Sequence, residues 1–384
     1  MQPYAILRPW AALSLVVLCL PVSGSAARGS QDRGPAAADE ALRLSGVLAA
    51  YAKYNSSPRL VQGQTEGQDT GESLAGQPAL DLRLARSWGT RWWLDAGYAG
   101  QADLHTDDPD NDWYFSRGHL ALVRALGPHA LSISSELRYL TVPGHDRYDF
   151  LRHTGLVGYR RALSPRWEGR LGYDNVLTRY VHSSGLDYLL HGLRLELATT
   201  WSPRLSARCA YGIQAYRGSY DPLEGDPNTS PDEGFRHTVE LGCDWLLSGA
   251  QALGLTYAFQ VDRSEMGLGP IGPFEGHEDS QDAEAEFALT KHKATVLYAR
   301  RLTGRLAFSS YLEWIRKDFD DEDDAPLQRQ GRTDALYLSA SHVKLRWSER
   351  LVLRLRYLYR TNRSTLSAQD YANHIVAIGP EYAF

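Results

Sequence analysis

Arg354, Arg356 and Arg360 lie at every second or fourth position of one alternating stretch, so an extended backbone puts all three guanidinium groups on the same face. On the wall of a water-filled passage, such a basic stripe attracts anionic solutes or an acidic polymer. Salt-bridged to carboxylates on neighbouring strands, the same residues would instead fill an interior. Other stretches carry charges at similar spacing: Glu136 and Arg138, Arg170 and Asp174, Arg194 and Glu196, Glu240 and Asp244, and Glu313 and Lys317. These residue types suit the binding and passage of a polar solute without covalent chemistry.

Covalent chemistry has weaker candidates. His145-Asp146 with Asp149 could activate water as a His/Asp pair, but a polar surface loop accounts for the same residues more simply. His182, Ser183 and Ser184 form no nucleophile motif. The segment Gly267-Leu-Gly-Pro-Ile-Gly272 spells a dinucleotide fingerprint, yet Pro270 interrupts it and no βαβ unit surrounds it. The acidic runs Asp107–Asp112 and Asp320–Asp324 lack the spacing of a defined Ca²⁺ loop and read as solvated loop tips. No catalytic residue, metal site or cofactor is expected.

The elements that would position the charged rows announce themselves by a repeated tetrapeptide: hydrophobic, Ser or Thr, any residue, Arg. It occurs as Leu163-Ser-Pro-Arg166, Trp201-Ser-Pro-Arg204, Leu302-Thr-Gly-Arg305 and Trp347-Ser-Glu-Arg350. Each is a tight-turn composition between two alternating stretches of about a dozen residues, which reads as the short end of a β-hairpin. Sixteen strands are expected, near 42–54, 79–87, 91–104, 114–125, 130–142, 153–162, 167–180, 187–200, 204–218, 235–246, 251–263, 282–301, 305–318, 332–346, 351–362 and 370–384. Their connections alternate strictly between short turns and long, acidic, Gly- and Pro-rich loops. That alternation is the pattern of a closed antiparallel transmembrane barrel, with short periplasmic turns and long extracellular loops.

Alternation also assigns faces. Leu131, Ile133, Leu137 and Tyr139 share one parity, as do Val239, Leu241, Cys243 and Trp245, and these sides face lipid. The charged parity must then face water. Seven of the nine Trp beyond residue 26 crowd the short turns, where an aromatic girdle at the membrane interface belongs. Cys209 and Cys243 are equally far from residue 226 and share the apolar parity, so they are expected to face each other across one antiparallel pair, either as free thiols or as a disulfide.

Composition agrees. Arg8, the apolar run from Ala11 to Leu20 and the small residues before position 27 read as a secretory signal peptide over 1–26, followed by a flexible periplasmic leader over 27–41 and the barrel over 42–384. No stretch offers 18 consecutive apolar residues, which excludes helical spans of ordinary design. The chain holds 22 Tyr and 10 Trp against 2 Met, the aromatic balance of a surface that is apolar at one end and wet at the other. A formal charge of −5 argues against nucleic acid as a partner.

The closing stretch, from Tyr357-Leu-Tyr-Arg360 through Asp370-Tyr371-Ala-Asn373 to Glu381-Tyr382-Ala-Phe384, resembles the last hairpin of Gram-negative outer-membrane barrels. In those families a terminal Phe with an aromatic two residues earlier is the signal read by the barrel-assembly machinery, and Tyr382 and Phe384 match it. Pro380 departs from the pattern, because it donates no ladder hydrogen bond. Sixteen strands without a plug domain are similar to porins, and also to barrels through which some bacteria export polysaccharide. The resemblance implies residence in the bacterial outer membrane, contact with its lipid and lipopolysaccharide, and, for export, a periplasmic partner in trans. It implies a channel for polar solutes. A structural or adhesive surface barrel with a closed lumen is the alternative, and an outer-membrane hydrolase the third.

Overall fold

The computed structural model describes residues 42–56, 73–89, 91–106, 112–142, 149–182, 187–218, 233–264, 289–319, 331–365 and 370–384. They form strands β1 (Arg43–Asn55), β2 (Ser73–Trp88), β3 (Trp92–His105), β4 (Trp113–Leu126), β5 (His129–Thr141), β6 (Phe150–Ala162), β7 (Trp167–Tyr180) and β8 (Tyr188–Ser202). The second half is β9 (Leu205–Gly218), β10 (Glu233–Ser248), β11 (Gln251–Ser264), β12 (Leu289–Arg301), β13 (Leu306–Phe319), β14 (Thr333–Arg346), β15 (Leu351–Ser364) and β16 (Tyr371–Ala383). Each strand pairs antiparallel with its sequence neighbours, and β16 returns to β1, closing a sixteen-stranded barrel without a free edge. The signal peptide, the leader and the acidic runs, apart from Asp112, lie outside the described residues.

The repeated tetrapeptide works through its hydroxyl. Ser164 Oγ accepts the backbone N–H of Arg166 at 3.3 Å and of Trp167 at 3.2 Å. Thr303 Oγ1 does the same for Arg305 and Leu306, and Ser348 Oγ for Arg350 and Leu351. A side-chain oxygen thus satisfies donors that a tight turn would leave idle. Gly89 and Gly127 supply the other solution, with φ of 57° and 64° in the left-handed region.

The opposite end uses carboxylates. The Asp preceding β4, β6, β8 and β16 accepts a backbone N–H from the end of the preceding strand: Asp112 from His105, Asp149 from Val142, Asp187 from Tyr180 and Asp370 from Ser364, all within 2.7 Å. Burial pushes the Asp112 and Asp187 carboxyls above the usual range, against the pull of those N–H donors. Asp149, a hydrolase candidate by sequence, is therefore a loop clamp, and it also accepts from Thr141 Oγ1 at 2.7 Å. Its proposed companions His145 and Asp146 lie outside the described residues, as do Ser183, Ser184 and the glycine-rich segment at 267–272.

The start of β2 differs from expectation. β2 begins at Ser73 rather than 79, running through Gly76 and Pro78, whose composition reads as loop. Pairing between β2 and β3 lapses at Gln77 and Pro78, while β1 pairs the segment fully. β12 is described from Leu289, and the expected start at 282 lies outside the described residues. At the seam, pairing between β1 and β16 lapses at Gly379 and Pro380, so the missing donor of Pro380 is absorbed where the barrel closes.

Candidate functional site: the charged wall of the lumen

Register fixes the two faces. Outward parity carries Leu131, Ile133, Leu193, Leu195, Tyr211, Leu241 and Leu255, all exposed. Trp88, Trp92, Trp167 and Trp245 share that parity near the short turns, as a girdle requires, and Trp201 is exposed at the bulge that ends β8. Trp93 does not: it lies opposite Ser87 and Val123 on the inner parity, at the mouth. The periodicity that separates the two faces necessarily splits a Trp-Trp pair.

The inner parity carries the charges, and on one wall they form a continuous relay. Glu168 meets Arg170 at 2.7 Å, Arg170 meets Glu196 at 2.8 Å, and Arg194 bridges Glu196 at 3.7 Å and Glu240 at 3.0 Å. Arg208 then joins Glu240 at 3.1 Å to Asp244 at 3.8 Å. Seven side chains from β7, β8, β9 and β10 therefore alternate in sign. Arg170 and Arg194 keep 40 % of their side-chain surface exposed, so this wall is open to water. Gly242 makes room for Arg208: a Cβ there would meet Arg208 Nε at 2.8 Å.

Of the sequence candidates, Arg170, Arg194, Glu196, Glu240 and Asp244 meet in this relay. Glu136 pairs with Arg138 and, at 3.2 Å, with Arg117 on the neighbouring strand. Asp174 accepts from Gln214 Nε2 at 3.2 Å. Glu168, Arg117 and Arg208 were missed by sequence. A charge two residues from Arg170 and another four from Arg204 were visible, but only register shows which partner each reaches.

The Arg354, Arg356 and Arg360 row sits elsewhere and differs in kind. Arg354 is 2 % exposed and pairs with Glu381 at 2.6 Å, and Tyr51 donates its hydroxyl proton to the same carboxylate. Arg356 lies over the Tyr51 ring at 5.5 Å and donates to Gln77 Oε1 at 3.4 Å, while Gln77 donates to Asp103, itself paired with Lys53. Arg360 is 8 % exposed and lies over Tyr371 at 5.4 Å. The gap bounded by Lys53, Gln77, His342 and Arg356 measures about 30 Å³, room for one or two waters. This cluster welds β1, β2 and β3 to β15 and β16 across the seam. Arg354 and Arg360 are buried and Arg356 is half-buried, so the row is packed among partners rather than standing as an open stripe, and Arg354 pairs with a carboxylate of the neighbouring strand.

Cys209 and Cys243 share the outer face but are not directly opposed. Cys209 faces Leu241 and Cys243 faces Ala207, because the hairpin centres on 225 rather than 226. Both are free thiols, as diagonal neighbours at about 7–8 Å must be. Among the described residues, no group of His, Cys, Asp and Glu is arranged to hold a metal.

No family model and no curated protein matches the chain. Solved structures do match in fold. CdiB from Acinetobacter baumannii superposes with a TM-score of 0.51 at 10 % identity, over 89 % of this chain and 60 % of that one. The chain has the fold of a closed, sixteen-stranded antiparallel β-barrel, and shares that fold with this outer-membrane protein. The outer membrane channel DcaP of the same organism, at TM-score 0.49 and 14 % identity, and a bacterial polysaccharide outer membrane secretin, at 0.48 and 8 %, are weaker likenesses. They cover 89 % of this barrel and 97 % and 98 % of their own chains.

Proposed function

We infer that the barrel is a passive conduit for polar solutes, and that it does no covalent chemistry. The observation that carries this reading is the acid–base relay of β7 to β10. Its side chains lie on the inner parity with up to 40 % of their surface exposed, a placement whose desolvation cost is avoided only beside water. Sixteen strands enclose a lumen wide enough for an aqueous channel. The packed seam and the apolar cluster at the loop end of β4 to β9 occupy part of it, and the exposed charges of β7 to β10 toward the short turns are the surface a solute would meet.

The relay also speaks to the solute. Four carboxylates and three guanidiniums, each compensated by neighbours, give little net field. A wall of this kind suits an uncharged, hydroxyl-rich solute, to which it offers donors and acceptors, over a strongly anionic polymer. Export of a neutral polysaccharide handed over by a periplasmic partner is the specific form of this proposal. The closed structural barrel draws its support from the buried seam cluster and from a buried apolar cluster on the inner face of β4 to β9 that includes Trp113, Phe115, Phe150, Tyr180 and Tyr188. Planar-bilayer conductance of the refolded protein tests the reading. Steady conductance, reduced when a neutral oligosaccharide is added, is expected; a folded but electrically silent protein would favour the closed barrel.

A further inference from the structure

The repeated tetrapeptide builds its turn with the Ser or Thr hydroxyl, which leaves the arginine side chain without a role there. Backbone bonding gives that arginine one recurrent place. The carbonyls of Arg166, Arg204, Arg305 and Arg350 accept an N–H near the end of the neighbouring strand, from Thr200, Leu246, Arg346 and Ala383, all within 2.9 Å. Arg91, outside the tetrapeptide series, does the same for Ala125 at 2.7 Å. Pro128 is the equivalent residue for Ala162, and Ala250 for Arg301. Five of the seven short turns therefore place an arginine at one position of the ladder.

Parity turns these side chains toward the mouth of the lumen. Each arginine precedes an outward residue, Trp92, Trp167, Leu205, Leu306 or Leu351, so it stands on the inner parity, two positions nearer the rim than Trp93, Glu168, Ser206, Ala307 or Val352. All five are exposed. Arg43, Arg301 and Arg346 share that parity and that exposure at the same end. Arg305, Arg350, Arg43 and Arg91 follow one another at two-strand intervals, roughly 10 Å, and so do Arg166 and Arg204. The carboxylates further in are engaged: Glu168 by Arg170 at 2.7 Å, Asp244 by Arg208 at 3.8 Å and Glu381 by Arg354 at 2.6 Å. Glu349 and the terminal carboxylate of Phe384 are the acids of the rim among the described residues. Arg350 reaches the Tyr382 hydroxyl at 3.5 Å, and among the described residues none of the eight rim arginines is ion-paired.

We propose that this rim is the docking surface for a periplasmic protein with an acidic face, seated over the mouth. Short turns face the periplasm in barrels of this class. Eight guanidiniums against two carboxylates give the rim a net positive charge, and each guanidinium fork matches a carboxylate in two parallel hydrogen bonds. The positive charge stops at the rim. Behind it the relay alternates in sign, so an anionic solute drawn to the mouth finds no continuation along that wall. What the rim holds therefore stays at the mouth, in line with the passage. At physiological salt exposed charges are screened within about 8 Å, so the rim acts on what touches it while the wall behind sets ion selectivity. The use of such a seat, handing over a solute, rests on the reading of the barrel as a conduit. Arg124, Arg161 and Arg300 stand exposed at the same end on the outer parity and supply a matched comparison.

The test is binding of a fluorescent protein carrying an oligoglutamate tail to the intact barrel in detergent, read by anisotropy at physiological salt, with an oligoglutamine tail as the control. The wild-type barrel is expected to bind the glutamate tail about tenfold or more tightly than the glutamine tail. The R166Q/R204Q/R305Q variant is expected to lose that preference. The R124Q/R161Q/R300Q variant, which removes the same charge from the outer parity, is expected to keep it, and both should retain heat-modifiable mobility. No preference in the wild type overturns the proposal even where a variant fails to fold. So do a preference that the folded rim variant retains and an equal loss in the two variants. Oligoglucuronate added at the short-turn side of a planar bilayer overturns it too if its block lifts at high voltage, because the rim would then feed an anion that passes. Binding is read in detergent, so a folded but electrically silent barrel would end the conduit reading and leave the docking surface standing.

Discussion

The behaviour of single charges here depends on their partners. Glu240 holds both Arg194 and Arg208, so Glu240→Gln takes one carboxylate partner from each of two guanidiniums on the exposed wall, leaving Glu196 and Asp244 as the others. The reversal potential under a salt gradient should move toward anion preference, and high salt should erase the shift. Arg354 is the opposite case. Arg354→Ala leaves Glu381 buried without its cation, which should cost about 3–5 kcal/mol and lower the temperature of the heat-modifiability transition. Ion selectivity should stay as in the wild type, because the residue does not face open water. A sequence places both residues on the charged face and stops there, since exposure depends on strands more than a hundred positions apart.

Elements are held by their ends. The hydroxyls of Ser164, Thr303 and Ser348 each accept two turn N–H groups, so replacing any one by Ala should cost about 1 kcal/mol in urea unfolding of the refolded barrel. Replacing Ser348 by Thr should restore it. The free Cys209 and Cys243 predict that mobility on denaturing gels is the same with and without reducing agent. A two-residue offset is enough to separate them, and the sequence could not supply it, because the centre of a long loop does not fix a register. The carboxylate clamps at Asp112, Asp149, Asp187 and Asp370 were equally hidden. Asp near Gly and Pro reads as a solvated tip, and only the chain reversal brings each carboxylate under the preceding strand.

At the scale of the molecule the barrel is asymmetric inside. One inner wall is a wet relay, the seam is a buried cluster, and the short-turn mouth carries a rim of arginines. With four acids balanced by the three arginines of the relay and by Arg160, which meets Glu168 at 3.8 Å, the wild-type pore should discriminate weakly between small cations and anions, giving a permeability ratio of order one. A strongly selective wild-type pore would show that solutes follow another surface.

The sequence by itself determined the strand count, the alternation of short and long connections, the shape of the short turns, and the lipid and water faces of the strands that alternate cleanly; those at 114–125, 153–162, 282–301 and 332–346 alternate too poorly to be oriented from it. All of these are local: period-two patterning and turn chemistry act over a dozen residues or fewer. Only the tertiary structure decided which charges meet, which are buried and which side of the barrel each belongs to. Those depend on register summed around sixteen strands and on the closing of β16 against β1, where one residue of slip exchanges every partner.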